Sequence, residues 1–165
     1  MRKQKGFSLI ELLIVVAIIL IIAAIAIPNL LRAKIAANQS SAAASERTID
    51  TAMISYQTAF QAYPTAILSL GPGGINVACP GAVAATACII DGQLASGQKS
   101  GYNFLVGVGP VANSNFITSA VPVSASSGTA AYCSIEDNVV RFITPSGGAA
   151  TYPVCVGATY TPIGN

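Results

Sequence analysis

Residues 5–31 read KGFSLIELLIVVAIILIIAAIAIPNLL and determine the architecture of the chain. Residues 12–31 carry no charge. As an α-helix rising about 1.5 Å per residue they reach roughly 30 Å, the thickness of the hydrocarbon core of a bilayer. One carboxylate, Glu11, lies just inside this apolar run. An acidic side chain at such depth costs about 2.5–3.5 kcal/mol on insertion scales, so we expect it to have a partner and a function.

Residues 6–18, continued by residues 23–29, resemble the type III signal of type IV pilins and pseudopilins. The resemblance implies that a membrane-embedded prepilin peptidase cuts after Gly6 and N-methylates Phe7, the new first residue. It also implies that the Glu11 carboxylate neutralises the Phe7 amine of a neighbouring subunit during assembly. That role is physically reasonable, because an opposite charge relieves the desolvation of a buried carboxylate.

Two other interpretations of this segment are open. The first five residues are rich in basic side chains, and Ala24-Ile25-Ala26 is typical of an ordinary secretory cleavage site. Glu11, the length of the apolar run and the nearby Pro28 argue against a discarded signal peptide. The other alternative is an uncleaved anchor with one span. The basic start favours a cytoplasmic N-terminus.

The composition is typical of an exported, membrane-anchored protein with one compact domain. Of the 165 residues, 8% are charged and 53% are hydrophobic. Removing the three basic residues of the leader from a net charge of +2 leaves −1. We therefore predict no specific nucleic-acid site.

The predicted fold class is α+β, with a long N-terminal helix packed on a C-terminal antiparallel β-sheet. This is the pilin fold that the resemblance implies. The expected parts are a leader (1–6), a membrane or filament-core half-helix (7–31), an amphipathic half-helix (32–63) and a β-rich globular part (64–165). Pro28 is expected to kink or loosen the first half. Leu20 stands where the family has a glycine, which leaves Pro28 as the main weak point.

The amphipathic half-helix is predicted from apolar side chains spaced three or four residues apart. These are Ile49, Met53, Tyr56, Phe60 and Tyr63, whereas Glu46, Arg47, Asp50 and Gln57 are expected on other faces. Tyr63-Pro64 is predicted to end the helix near residue 62.

Four strands are predicted from β-branched and aromatic residues bounded by turn signals. Their expected ranges are 102–108, 115–119, 130–135 and 139–144. Residues 136–138 are predicted to form the turn of a hairpin. We expect a short helix or strand within residues 87–95 and a loop-like tail from residue 144.

The four cysteines all lie in the C-terminal part, at Cys79, Cys88, Cys133 and Cys155. An even count after an export signal predicts two disulfides. Zinc is the weaker alternative, because the chain has no histidine and no C-x-x-C spacing. Three pairings are possible, and loop length favours Cys79 with Cys88 and Cys133 with Cys155. The second pairing would resemble the C-terminal disulfide loop of pilins.

The sequence offers no catalytic signature, cofactor site or metal site. It has no histidine, no phosphate-binding loop and no clustered carboxylates. We interpret Glu136 and Asp137 as a solvated turn, because further ligands for a calcium loop are not apparent. A structural subunit is therefore predicted, and not an enzyme.

The resemblance leaves three functions open. The favoured one is a subunit of a type IV pilus, a surface filament for adhesion, motility or DNA uptake. The second is a pseudopilin of a type II secretion system, although the calcium-site acids and tryptophan of the major pseudopilin are not apparent here. The third is a monomeric membrane-anchored binding module. For the pilus, the resemblance implies a homopolymer made from an inner-membrane precursor. It also implies a prepilin peptidase, an assembly ATPase with its platform, and an outer-membrane secretin as partners.

Overall fold

The computed structural model describes residues 6–111, 113–157 and 159–163. Its helices are α1 (Leu9–Phe60), a 3₁₀ turn (Ile67–Leu70), α2 (Gly92–Ala95) and α3 (Tyr152–Val156). Its strands are β1 (Gln98–Lys99), β2 (Tyr102–Val108), β3 (Phe116–Pro122), β4 (Ala131–Ile135), β5 (Arg141–Ile143) and β6 (Thr161–Pro162). The chain divides into two compact units, with the boundary after Lys34. We call described residues 6–34 the N-terminal segment and those from Ile35 onward the head.

The sheet of the head confirms the predicted α+β class. Its six strands lie in chain order, and every neighbouring pair is antiparallel. A short turn joins β4 to β5, as expected where neighbours in sequence pair in space. In the β4–β5 hairpin, Cys133 lies opposite Arg141. The turn predicted at residues 136–138 is therefore where the sequence indicated.

The main core lies between the sheet and the part of α1 that belongs to the head. Ile49, Met53 and Tyr56 are buried there, in contact with a cluster that includes Tyr102 and Phe104 of β2. The predicted apolar stripe is thus the packing face of the helix. Phe60 and Tyr63 are only partly buried at its edge.

A second, smaller core covers the opposite face of the sheet. It is formed by Cys133 and Ile135 of β4 together with Cys155 of α3 and the nearby Tyr160. Because α1 covers one face and α3 the other, all five residues of β4 are buried. β4 is therefore one of the two middle strands of the sheet and is buried along its whole length.

Polar contacts tie the start of the head's helix to loops at one end of the sheet. Asn38 Nδ2 donates to the Ser127 carbonyl at 2.9 Å, and Gln39 Nε2 donates to Thr129 Oγ1 at 3.0 Å. These contacts begin four residues after Lys34, which agrees with the boundary between the two units.

Two of the four acidic and polar side chains expected on other faces of α1 are instead on its buried face. Glu46 and Asp50 are 0% and 2% exposed, beside Ile49 and Met53, while Arg47 is exposed. That part of the sequence interpretation is wrong. Positions 46, 49, 50 and 53 follow the i, i+3, i+4, i+7 spacing of one helix face.

The helix ends at Phe60, two residues before the expected point. Gln61 adopts a positive φ of 57°, a left-handed conformation that terminates a helix, and its N–H still bonds to the Gln57 carbonyl. Pro64 follows after this termination has already occurred.

The predicted strands agree with β2 to β5, although their ends differ by up to three residues. The sequence interpretation missed β1, β6 and α3. The two strands have only two residues each, and α3 lies in the tail expected to be loop-like. Elements this short have little local signal and form because neighbouring structure pairs with them.

The structure pairs Cys79 with Cys88 and Cys133 with Cys155, which are the pairings that loop length favours. Cys133 and Cys155 are fully buried between β4 and α3, whereas Cys79 is exposed. The bridge from Cys133 closes 22 residues and the other closes 9. Longer loops lose more chain entropy on cross-linking, so the buried bridge is expected to stabilise the head more.

Replacing both cysteines of the buried bridge, Cys133→Ser with Cys155→Ser, is expected to lower the free energy of unfolding by about 3–5 kcal/mol. The matched pair Cys79→Ser with Cys88→Ser is expected to lower it by about 2–3 kcal/mol, since that loop is shorter and more exposed. The measurement is denaturant unfolding of the full chain in detergent, followed by near-ultraviolet circular dichroism of the tyrosines. Equal losses for the two pairs would contradict this ranking.

Candidate functional site

The start of α1 is organised around Ser8 and Glu11. The Ser8 backbone N–H donates to Glu11 Oε2 at 3.0 Å, and the Leu12 N–H bonds to the Ser8 carbonyl at 3.3 Å. The first amides of a helix have no partner within it, and the positive end of its dipole favours an acid there. Glu11 therefore supplies both an acceptor and a negative charge at this end.

This contact is one half of a capping box, in which the third helical residue accepts from the N–H before the helix. The sequence interpretation predicted that Glu11 pairs with an opposite charge on another subunit, and it missed this local backbone partner. The signal was present in the spacing S-x-x-E at residues 8–11. Gly6 and Phe7 precede the helix, and Glu11 lies in its first turn.

The N-terminal segment has a continuous uncovered apolar surface. No residue from 6 to 34 is buried, and Phe7, Leu9 and Leu30 are 84%, 80% and 72% exposed. In the described part of the chain, α1 is the one helix long and apolar enough to cross a membrane. Large apolar surfaces of this kind mark contact with lipid or with other proteins.

Pro28 lies inside α1, which continues through it without interruption. Proline has no N–H, so the Ala24 carbonyl lacks its helical donor at this position. At about 1.5 Å per residue, Pro28 lies roughly 25 Å along the helix from Glu11. The two residues predicted to act in assembly therefore lie at separate places along α1, and the cysteines belong to the head. The basic residues at positions 2, 3 and 5 of the predicted leader lie outside the described residues.

Three acidic residues of the head, Asp91, Glu136 and Asp137, are each engaged by protein groups. Asp91 caps α2 by accepting from the Leu94 N–H at 2.9 Å, which lowers the pKa of its carboxyl. Asp137 forms an ion pair with Arg141 in the β4–β5 turn. These two side chains therefore have protein partners and do not point into a shared site.

Glu136 is more than the solvated turn residue that the sequence suggested. Its Oε1 accepts from the Tyr152 hydroxyl and from Asn115 Nδ2, the latter at 2.6 Å. The contact joins the start of β3, the end of β4 and α3. Glu136 and Asp137 thus have different partners, one joining α3 to the sheet and the other paired with Arg141.

Known proteins of similar sequence agree with these features. A family model described as the prokaryotic N-terminal methylation motif matches residues 1–27. The type IV wide pilus major component PilA4 of Thermus thermophilus is 40% identical over 100 residues, covering 56% of this chain and 76% of that protein.

Two further relatives match over shorter stretches. The type II secretion system core protein G of Vibrio cholerae is 40% identical over 65 residues, 39% of this chain and 44% of its own. The type IV major pilin protein PilA of Myxococcus xanthus is 48% identical over 54 residues, 33% of this chain and 24% of its own. The chain thus spans less than half the length of these two. The similar proteins are structural components and not enzymes.

Replacing Pro28 by alanine restores a donor for the Ala24 carbonyl and is expected to stiffen the middle of the N-terminal segment. Amide hydrogen exchange of residues 24–32 should slow by about tenfold or more, because an interior proline costs a helix about 3 kcal/mol. Mass spectrometry of the full chain in detergent measures this. Leu20→Ala is the control, since it alters no backbone donor, and exchange unchanged by Pro28→Ala would contradict the expectation.

Proposed function

Since the chain belongs to the type IV pilin and pseudopilin family, we propose that it is a structural subunit of a type IV pilus. Membership implies self-polymerisation with dedicated assembly machinery and a membrane-anchored precursor. In the proposal, the subunit polymerises through its N-terminal segment into a surface filament and presents its head outward. A helical head-to-tail contact of this kind does not close on itself, so it generates a fibre.

The observation that carries the proposal is the uncovered apolar surface of residues 7–31 with one carboxylate at its end. An α-helix satisfies its own backbone groups, so this segment is suited both to lipid and to a bundle of identical helices. Burial of that surface is the main favourable contribution to the free energy of both membrane insertion and helix bundling. The precursor would lie in the inner membrane, and the assembled filament outside the cell.

The pilus is favoured over the pseudopilus by the features of the head. Asp91 and Asp137 have the protein partners described above, and the sequence contains no tryptophan. Among the three relatives described above, the wide pilus component is the one matched over most of its length, at 76%. A pseudopilin of a type II secretion system is the second candidate, supported by the match to core protein G. A monomeric binding module has no comparable support.

Within this proposal, the prepilin peptidase cuts after Gly6 and Phe7 becomes the N-methylated first residue. Glu11 pairs with the Phe7 amine of a neighbouring subunit and sets the axial register. Pro28 supplies local flexibility. The partners are the peptidase, the assembly ATPase with its platform, an outer-membrane secretin and further copies of the chain.

Glu11→Gln separates the capping role of Glu11 from its charge. The amide still accepts from the Ser8 N–H, but it offers no charge to an amine. We expect both Glu11→Gln and Glu11→Ala to reduce filament material sheared from cells by tenfold or more. The processed subunit should remain in the membrane fraction.

Glu11→Asp is the matched control, because it keeps the charge on a shorter side chain and is expected to retain part of the assembly. Quantitative immunoblots of the sheared and membrane fractions measure all three variants. Normal filament yield from Glu11→Gln would show that capping alone accounts for Glu11, and the charge-pairing proposal would be wrong.

Mass spectrometry of the mature N-terminus distinguishes the candidates directly. We expect N-methylated Phe7 in the sheared fraction, which is the result for a surface pilin. The same end found only in membranes would favour the pseudopilin. A chain beginning at Ile27 would mean ordinary signal cleavage and would contradict the filament.

A further inference from the structure

The interface between α1 and the sheet contains a buried polar patch formed by Glu46, Asp50, Thr118 and Ser134. Glu46 and Asp50 lie one turn apart on α1, where i and i+4 side chains are neighbours. Thr118 of β3 and Ser134 of β4 are directly opposite each other in the sheet. Strand alternation places both on the face that α1 covers, as with Phe116, Ala120 and Tyr132. All four side chains are at most 2% exposed.

Most carboxylate oxygens of the patch have no partner. The Thr118 hydroxyl donates to Asp50 Oδ1 at 3.1 Å. Asp50 Oδ2 and both oxygens of Glu46 have no hydrogen-bond partner among the described residues. Burying such acceptors without a donor costs about 1–3 kcal/mol each, and more when they are charged.

The charges around the patch do not compensate two carboxylates. On α1, Arg47 is exposed, and its positive charge acts only weakly on Asp50. Asp137, from the β4–β5 turn, adds a further negative charge near Asp50. Thr118 and Ser134 contribute only neutral hydroxyls from the sheet. Two buried like charges cannot both persist in such surroundings.

Protonation of one carboxyl removes one of the two like charges and supplies a donor for an unpaired oxygen. When the Glu46 carboxyl is protonated, its O–H becomes a donor, and the free Asp50 Oδ2 is an acceptor on the adjacent turn. We propose that Glu46 and Asp50 form a proton-sharing carboxyl pair, so that the head holds a proton in its interior at neutral pH and is more stable in mild acid than in mild alkali. This inference stands independently of the proposed function.

The pKa values of the two groups support this geometry. Burial, and then the neighbouring Asp50, raise the pKa of Glu46 well above its ordinary value of 4.5, and the nearby Thr118 hydroxyl opposes the change only in part. Burial raises the pKa of Asp50 from 3.8 to about 6, although the Ser134 and Thr118 hydroxyls oppose the change. The two groups titrate as a coupled pair.

The direction of the pH dependence follows from these raised pKa values. Below about pH 4 the carboxyls are protonated in the folded and unfolded chains alike, and this stabilisation is fully present. As the pH rises, the unfolded chain ionises first, while ionisation in the folded head leaves a buried charge. Stability is therefore lost from about pH 4 to pH 6 for Asp50 and further upward for Glu46.

A bound cation is the competing explanation, since the donors are all oxygens. The described residues contain no group of three or more histidine, cysteine or acidic side chains able to hold a metal ion. Calcium takes six to eight oxygen ligands, whereas two carboxyls with two hydroxyls offer at most six, and only if both carboxyls bind through both oxygens. The proton is therefore favoured, and cation binding becomes an outcome of the test.

The test is thermal unfolding of the full chain in detergent with EDTA, between pH 4.5 and pH 8.5. We expect the Tm of the wild type to fall by about 5 °C or more from pH 5 to pH 8. Glu46→Gln copies the shape of the protonated acid, so it should raise the Tm at pH 8 and reduce the fall by at least half. Asp50→Asn should act in the same direction. Asp91→Asn is the matched control and should keep the wild-type fall, because its carboxyl is exposed with a lowered pKa.

Infrared spectroscopy of the folded chain at pH 7 provides a second measurement. We expect a C=O stretch from a protonated carboxyl that Glu46→Gln removes and Glu11→Gln leaves in place. If Glu46→Gln does not fold, the band is sought in the wild type and in Asp50→Asn. Absence of such a band at pH 7 would overturn the proposal. The proposal would also be overturned if calcium or magnesium at pH 8 raised the Tm of the wild type but not the Tm of Glu46→Gln.

Discussion

The long apolar helix imposes the main constraint on this protein, because residues 9–31 of α1 have no core of their own to enter. An α-helix satisfies its backbone internally, so the remaining requirement is that its side chains leave water. Lipid and neighbouring copies of the same helix both meet that requirement. One surface can thus serve the membrane-anchored precursor and the assembled fibre without refolding.

Glu11 is compatible with this apolar helix because of where it lies along it. At the first turn it accepts the Ser8 N–H and faces the positive end of the helix dipole. Deeper in the segment, the backbone N–H groups are already hydrogen-bonded within the helix, so the same carboxylate would find no backbone donor. The local cap holds the carboxylate beside the end of the chain that the proposed cleavage creates. Capping and the proposed pairing with an amine would therefore use the same carboxylate.

The head, unlike the N-terminal segment, buries its apolar side chains within its own fold. The middle strand β4 is covered by α1 on one face and by α3 on the other, and the Cys133–Cys155 bridge joins α3 to that strand. The interface with α1 is mostly apolar, but Glu46, Asp50, Thr118 and Ser134 interrupt it. Moving the helix by one turn over the sheet would separate Asp50 from Thr118 and place acids over apolar side chains. The buried polar patch is thus consistent with a single position of α1.

The sequence by itself determined the features that depend on local pattern. These are the apolar helix, the motif around Gly6, Phe7 and Glu11, and the strands β2 to β5. Hydropathy, residue spacing and turn residues act over a few neighbours and are readable without a fold. Only the tertiary structure decided that Glu46 and Asp50 are buried, that β1, β6 and α3 exist, and that Glu136 holds α3 to the sheet. Charged residues are normally exposed, and short elements have weak propensities, so these outcomes depend on which distant segment packs against them.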